Sequence, residues 1–171
     1  MKKIIHIIAT LTVIGCISGG ILAGVYQWAL PKIVANQIKE TDAAVFKVVP
    51  GTTRYEEKTK DDLKYFECFD NTDAKTGYAI LCQGNGYQGA IKMMVGVNAD
   101  FSKFTGLIIL EQLETPGLGA KIAEAKFFTQ FTGLLTDKPL DLVMVKPITG
   151  ATISSKSVVG IINKAVEQWL K

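Results

Sequence analysis

Five hydroxyl side chains, Thr149, Thr152, Ser154, Ser155 and Ser157, fall within nine positions of one another. Gly150 and Ala151 stand among them and leave the backbone uncrowded. An apolar stripe follows at once. Val158, Ile162, Ala165, Val166 and Trp169 recur at the i, i+4, i+7, i+8, i+11 spacing of an amphipathic helix, predicted over 155–170. The first turn of a helix carries N–H groups without intrahelical partners and a partial positive charge, so it is a ready site for an anion. Ser154 or Ser155 is the candidate N-cap, and Lys156 adds a cation. The chemistry these residues suit is capture of a phosphate in a corner that also holds a threonine hydroxyl. The competing reading is that the hydroxyls only cap the helix. A P-loop is excluded, because the spaced glycines and the Gly-Lys-Ser/Thr ending are missing.

A second turn, Glu114-Thr115-Pro116-Gly117-Leu118-Gly119, places one proline and two glycines within six residues. Its glycines let a flat ligand approach the main chain, and its N–H groups can bond a ring carbonyl. The alternative is a plain connection between a strand and a helix. No general base, nucleophile or metal-ligand set accompanies either segment. The one histidine, His6, lies in an apolar run near the start, which excludes a histidine-containing zinc site in the remainder. Gly84-Asn85-Gly86-Tyr87-Gln88-Gly89 has the Gly-x-Gly-x-x-Gly spacing, but it joins two predicted strands and opens no helix, so dinucleotide binding is not indicated. Cys68 and Cys82 form either a disulfide or two buried thiols.

These candidates need elements to hold them. A helix is predicted over 32–46, ended by Val48-Val49-Pro50-Gly51, and a polar surface stretch over 52–62. Strands are predicted over 63–69, 78–83, 91–97, 104–110 and 142–145, with a short helix over 120–131. Asn71-Thr72-Asp73, Gly84-Asn85-Gly86 and Asn98-Ala99-Asp100 supply turns. Successive strands with helices at both ends make an α+β domain with an antiparallel sheet and flanking helices.

The first part of the chain differs in kind. Positions 4 to 30 contain no Asp, Glu, Lys or Arg. A helix of that length extends ~40 Å, against a hydrocarbon core of ~30 Å. Tyr26 and Trp28 suit the far interface, and Pro31 marks the exit. A retained single transmembrane helix is therefore expected over 1–31, followed by one domain over 32–171. The run outlasts the apolar core of a cleaved signal peptide. Val13-Ile14-Gly15-Cys16 is similar to a lipoprotein box, but Cys16 leads into further apolar residues, so lipidation ranks second. Lys2 and Lys3 favour a cytoplasmic N-terminus with the domain outside. The net charge of +3 falls to +1 over residues 4–171, with 17 basic and 16 acidic residues. That leaves no basic face for nucleic acid.

The chain resembles the FMN-binding subunits of the Rnf and Na⁺-translocating quinone reductase (Nqr) complexes, most closely the Rnf G subunit. The resemblance rests on the N-terminal span with Pro31, on Val48-Val49-Pro50-Gly51, and on Gly86-Tyr87-Gln88-Gly89. It rests further on Leu113-Glu114-Thr115-Pro116-Gly117-Leu118-Gly119 and Thr149-Gly150-Ala151-Thr152-Ile153-Ser154-Ser155. It implies FMN bound covalently through a phosphoester to Thr152, made from FAD by a flavin transferase. Thr149, Gly150, Ala151, Ser154 and Ser155 would form the phosphate turn. Glu114, Thr115, Gly117, Leu118 and Gly119 would lie near the flavin ring. It implies an electron-relay subunit of a membrane complex coupling ferredoxin and NAD to Na⁺ or H⁺ translocation, with no catalysis by this chain alone and no direct binding of NAD. The partners implied are the other Rnf-type subunits, the transferase and membrane lipid, at the inner (cytoplasmic) membrane. An Nqr C-type subunit, a lone anchored flavoprotein and a colourless scaffold are the alternatives. There is one departure. Lys146 stands where the family commonly has Asp, three residues before the first Ser/Thr of the motif. Flavinylation would be slower if that acid serves the transferase; otherwise Lys146 would pair with the phosphate.

Overall fold

The computed structural model describes residues 2–170. A helix, α1, runs over Lys2–Val48. Five strands follow: β1 Arg54–Lys60, β2 Leu63–Phe69, β3 Lys75–Asn85, β4 Ala90–Asn98 and β5 Phe104–Gln112. Short turns of helix, including α2 over Ala125–Phe128, lead to the closing helix α3, Thr152–Leu170. The chain divides into two compact units, the first ending at Lys39 and the second beginning at Glu40. The first unit is apolar helix with Leu11, Ile21, Leu22 and Trp28 each more than half exposed, and α1 contains a stretch long and apolar enough to cross a membrane.

The second unit is built on an antiparallel sheet in the order β1-β2-β3-β4-β5, each strand beside its neighbour in sequence. Asp61 and Asp62, both at positive φ, turn β1 into β2. Alternation along the strands gives the sheet two apolar faces. One carries Ile80, Cys82, Ile91, Met93, Val95 and Leu107 and is covered by Phe127, Phe131, Val158 and Ile162. The other carries Phe66, Cys68, Ala79 and Met94 and receives Ala44, Val45, Val48 and Val49. The far end of α3 is fixed by Trp169, stacked on Phe101 at 5.1 Å and set edge-on to Tyr65 and Tyr78.

Several expectations from sequence give way to tertiary context. Positions 54–60, expected as surface chain, form edge strand β1; pairing with β2 overrides the low β-propensity of its charged residues. The helix expected over 32–46 is continuous with the apolar run before it, and Pro31 lies inside α1. Positions 120–131 break into short pieces: Glu124, extended (φ −81°, ψ 143°), separates a first turn from α2, and a tighter turn over Thr129–Phe131 follows α2 directly. The strand predicted over 142–145 is a turn. The Asp141 carboxylate accepts the N–H groups of Val143 and Met144, both at 2.9 Å, and holds the backbone away from any sheet. Cys68 and Cys82 are free thiols buried on opposite faces of the sheet.

Candidate functional site

The corner before α3 is tied by its own residues. Ala151 N–H donates to the Ile148 carbonyl at 2.9 Å, and Gly150 takes φ +80°, the left-handed region. Ser155 Oγ donates to the Ala151 carbonyl and accepts the Ile148 N–H, each at 3.0 Å. α3 begins at Thr152, three residues earlier than its apolar stripe indicates. The bond from Ser155 N–H to the Ala151 carbonyl, 3.1 Å, opens the helical ladder. The N–H groups of Thr152, Ile153 and Ser154 precede it and lack an intrahelical acceptor. Ser154 and Ser155 thus lie within the first turn, both buried, and neither is the N-cap. Thr152 is exposed.

Glu114 binds this corner to two other segments. Its side chain is buried, with Oε1 accepting the N–H groups of Tyr87 at 2.8 Å and Gln88 at 3.0 Å. Its Oε2 accepts the Ser154 hydroxyl at 2.5 Å. Two glycines make room for the carboxylate. A Cβ at Gly86 would collide with Oε1, and one at Gly119 would stand 2.6 Å from both Oε2 and Ser154 Oγ. Thr115 Oγ1 donates to the Gln88 side chain at 2.9 Å. Burial pushes the Glu114 carboxyl up, but the hydrogen bonds from Ser154 and from the Gln88, Tyr87 and Gly89 backbone outweigh it, so the group sits below its ordinary value.

The result is a cavity of about 470 Å³. From the corner before α3 and its first turn it gathers Gly150, Ala151, Thr152 and Ser154; from the second turn, Glu114, Thr115, Leu118 and Gly119. Gly117, at φ +76°, shapes the second turn without lining the cavity, and Ser155 points into its own corner. Thr149 lines a separate cavity of about 510 Å³ with Lys121, Lys126 and Lys146. Gln130 builds the wall there, accepting the Lys146 N–H at 2.9 Å. Reasoning from composition and spacing passed over two lining residues, Tyr87 and Ile153. The signal for Tyr87 lay in Gly86-Tyr87-Gln88-Gly89, whose glycines announce a tight turn.

The arrangement suits an amphipathic ligand with a phosphate tail and a planar body. N–H groups without an intrahelical acceptor and the exposed hydroxyl of Thr152 stand at one end. Exposed apolar side chains, Tyr87 at 67%, Ile153 at 57% and Leu118 at 46%, border the rest.

Comparison with known proteins shows the family and the fold. The FMN-binding domain family matches residues 86–167, which run from the Gly86 turn through most of α3. The G subunit of an ion-translocating oxidoreductase complex from Methanosarcina acetivorans is 30% identical, over 97% of this chain and 94% of that protein. The G subunit of the proton-translocating ferredoxin:NAD(+) oxidoreductase complex of Clostridium ljungdahlii is also 30% identical, over 98% of this chain and 92% of its own length. Among solved structures, NqrC from Shewanella oneidensis shares the fold at a TM-score of 0.56 and 22% identity, over 75% of this chain and 67% of that one.

Proposed function

We propose that this chain, which belongs to the family of G subunits of ion-translocating oxidoreductase complexes, relays electrons between ferredoxin and NAD within such a complex, through FMN held on Thr152. The observation that carries the assignment is the single cavity shared by Thr152, the first turn of α3 and the Glu114–Gly119 turn. FMN bound there supplies one- and two-electron transfer.

The work of the chain is to bind, orient and shelter. Thr152 offers an exposed hydroxyl to a flavin transferase; its oxygen would bond to the FMN phosphorus of FAD as the pyrophosphate bond breaks, AMP leaves and the hydroxyl proton is lost. The N–H groups at the start of α3 hold the phosphate charge. Tyr87, Leu118 and Ile153 border the ring. Thr149 serves the transferase from the neighbouring surface, because it lines the other cavity. Lys146 lines the same neighbouring cavity as Thr149, which supports a part in recognition by the transferase.

The apolar part of α1 anchors the protein in the cytoplasmic membrane. The paired lysines at positions 2 and 3 keep the N-terminus in the cytoplasm and the FMN domain outside. The other subunits of the complex supply the NAD site and the ion path. Intact-mass analysis and in-gel flavin fluorescence of the full chain, matured with its transferase, test the attachment. The expected result is one FMN adduct in the wild type and none in Thr152→Ala. An adduct retained in that variant moves the site elsewhere.

A further inference from the structure

We propose that Glu114 is a positioning residue with an electrostatic duty: its buried carboxylate shapes the cavity and lowers the reduction potential of the flavin that occupies it. The inference rests on FMN occupying this cavity and goes beyond attachment to the control of its potential.

Three observations carry it. First, both oxygens of Glu114 are used inward, on Tyr87, Gln88 and Ser154. The side chain therefore joins a loop, a turn and a helix that are far apart in sequence. Second, no cation answers its charge. Glu67, a half-buried carboxylate of the same domain, pairs by contrast with Lys58 at 2.7 Å and Lys75 at 3.4 Å. Among the described residues Glu114 has N–H and O–H dipoles as partners and no ion pair. Dipoles stabilise a charge without cancelling it, so its field reaches into the cavity. Third, Glu114 and Thr152 line the same space. Reduction delivers negative charge to the bound group, and a fixed negative charge beside it makes that step less favourable.

The geometry also separates two anions that would otherwise compete. Glu114 draws its N–H donors from Tyr87 and Gln88, outside α3, and takes from α3 only the Ser154 hydroxyl. The first N–H groups of the helix stay available for phosphate.

The test is a spectroelectrochemical titration of the full chain in detergent, matured with its transferase and compared with wild type. Glu114→Gln keeps the size and removes the charge. The expected result is a midpoint potential more positive than wild type. Ser154→Ala keeps the charge and removes one hydrogen bond, so flavin loading falls without an upward shift. Gln88→Lys leaves the backbone donor in place and adds a cation beside Glu114. At low ionic strength it shifts the potential upward by less than Glu114→Gln, and it decides the matter if the glutamine variant does not load. An unshifted potential in Glu114→Gln, or in Gln88→Lys where the glutamine variant does not load, overturns this inference alone. Wild-type protein lacking FMN on Thr152 overturns the attachment reading and this inference with it.

Discussion

Ser154 Oγ lies 2.5 Å from Glu114 Oε2 and joins the first turn of α3 to a loop forty residues earlier in the chain. The bond is buried and charge-assisted, the kind that contributes most among side-chain contacts. It ties the two candidate segments to each other directly, side chain to side chain.

Ser154→Ala removes this bond and leaves Glu114 short of one partner. Hydrogen bonds to charged groups contribute roughly 1.5–3 kcal/mol. A loss of that size is expected in thermal or urea unfolding of the second unit.

Thr152 is exposed, so Thr152→Val changes stability by less than about 0.5 kcal/mol. The same change abolishes the flavin adduct, because valine has the shape of threonine without the hydroxyl. Thr152→Ser keeps the hydroxyl and keeps the adduct. Mass spectrometry with a parallel melting curve separates the two effects.

Two glycines of the domain should respond with opposite signs. Gly119→Ala places a methyl group 2.6 Å from Glu114 Oε2 and Ser154 Oγ, and overpacking of this sort costs about 1–3 kcal/mol. Gly160, inside α3, has open space where a Cβ would go. Gly160→Ala should stabilise the helix by up to about 1 kcal/mol. Equal melting shifts in the two variants would contradict the crowded geometry around Glu114.

Glu114 is held below its ordinary carboxyl value of 4.5 when folded. Its contribution to stability is complete above the unfolded value and is lost as pH falls through the lower, folded one. Stability of the wild type should therefore drop more steeply than that of Glu114→Gln on the acid side of pH 4.5. Denaturation midpoints taken along an acid series measure the difference directly, since Glu67 and Asp70 titrate alike in both proteins.

Cys68 pairs across the sheet with Gly77, five residues along β3 from Cys82. That is roughly 17 Å of strand at ~3.3 Å per residue, far beyond the reach of a disulfide. Burial raises both thiols, Cys82 to about 12. Neither should react with a maleimide in the folded protein, and both should react after unfolding. Protection lost in the native state, or altered mobility on a non-reducing gel, would refute this placement.

Much of this molecule is legible one segment at a time. The uncharged run at positions 4 to 30, the alternation within β2 to β5 and the 3.6-residue stripe of α3 are local patterns. Each follows from how a single helix or strand buries its own side chains. The two motif segments are legible for the same reason, since hydroxyls before a helix and glycines in a turn act on the backbone beside them. β1 was hidden because its charged residues pair only when β2 lies alongside, and 142–145 misled because Asp141 captured the backbone that a strand would have used.

What the order of residues determined alone was the existence of an apolar helix long enough for an anchor, a sheet domain and a hydroxyl-rich segment holding Thr152 ahead of a closing amphipathic helix. Tertiary structure decided which residues share a space. It put Tyr87 and Ile153 into the cavity with Thr152, sent Thr149 to the lysine-lined surface, and gave Glu114 its place between three segments. The reason is geometric. A hydrogen bond spanning forty positions depends on how the meander and α3 pack, and no pattern within either segment encodes that distance.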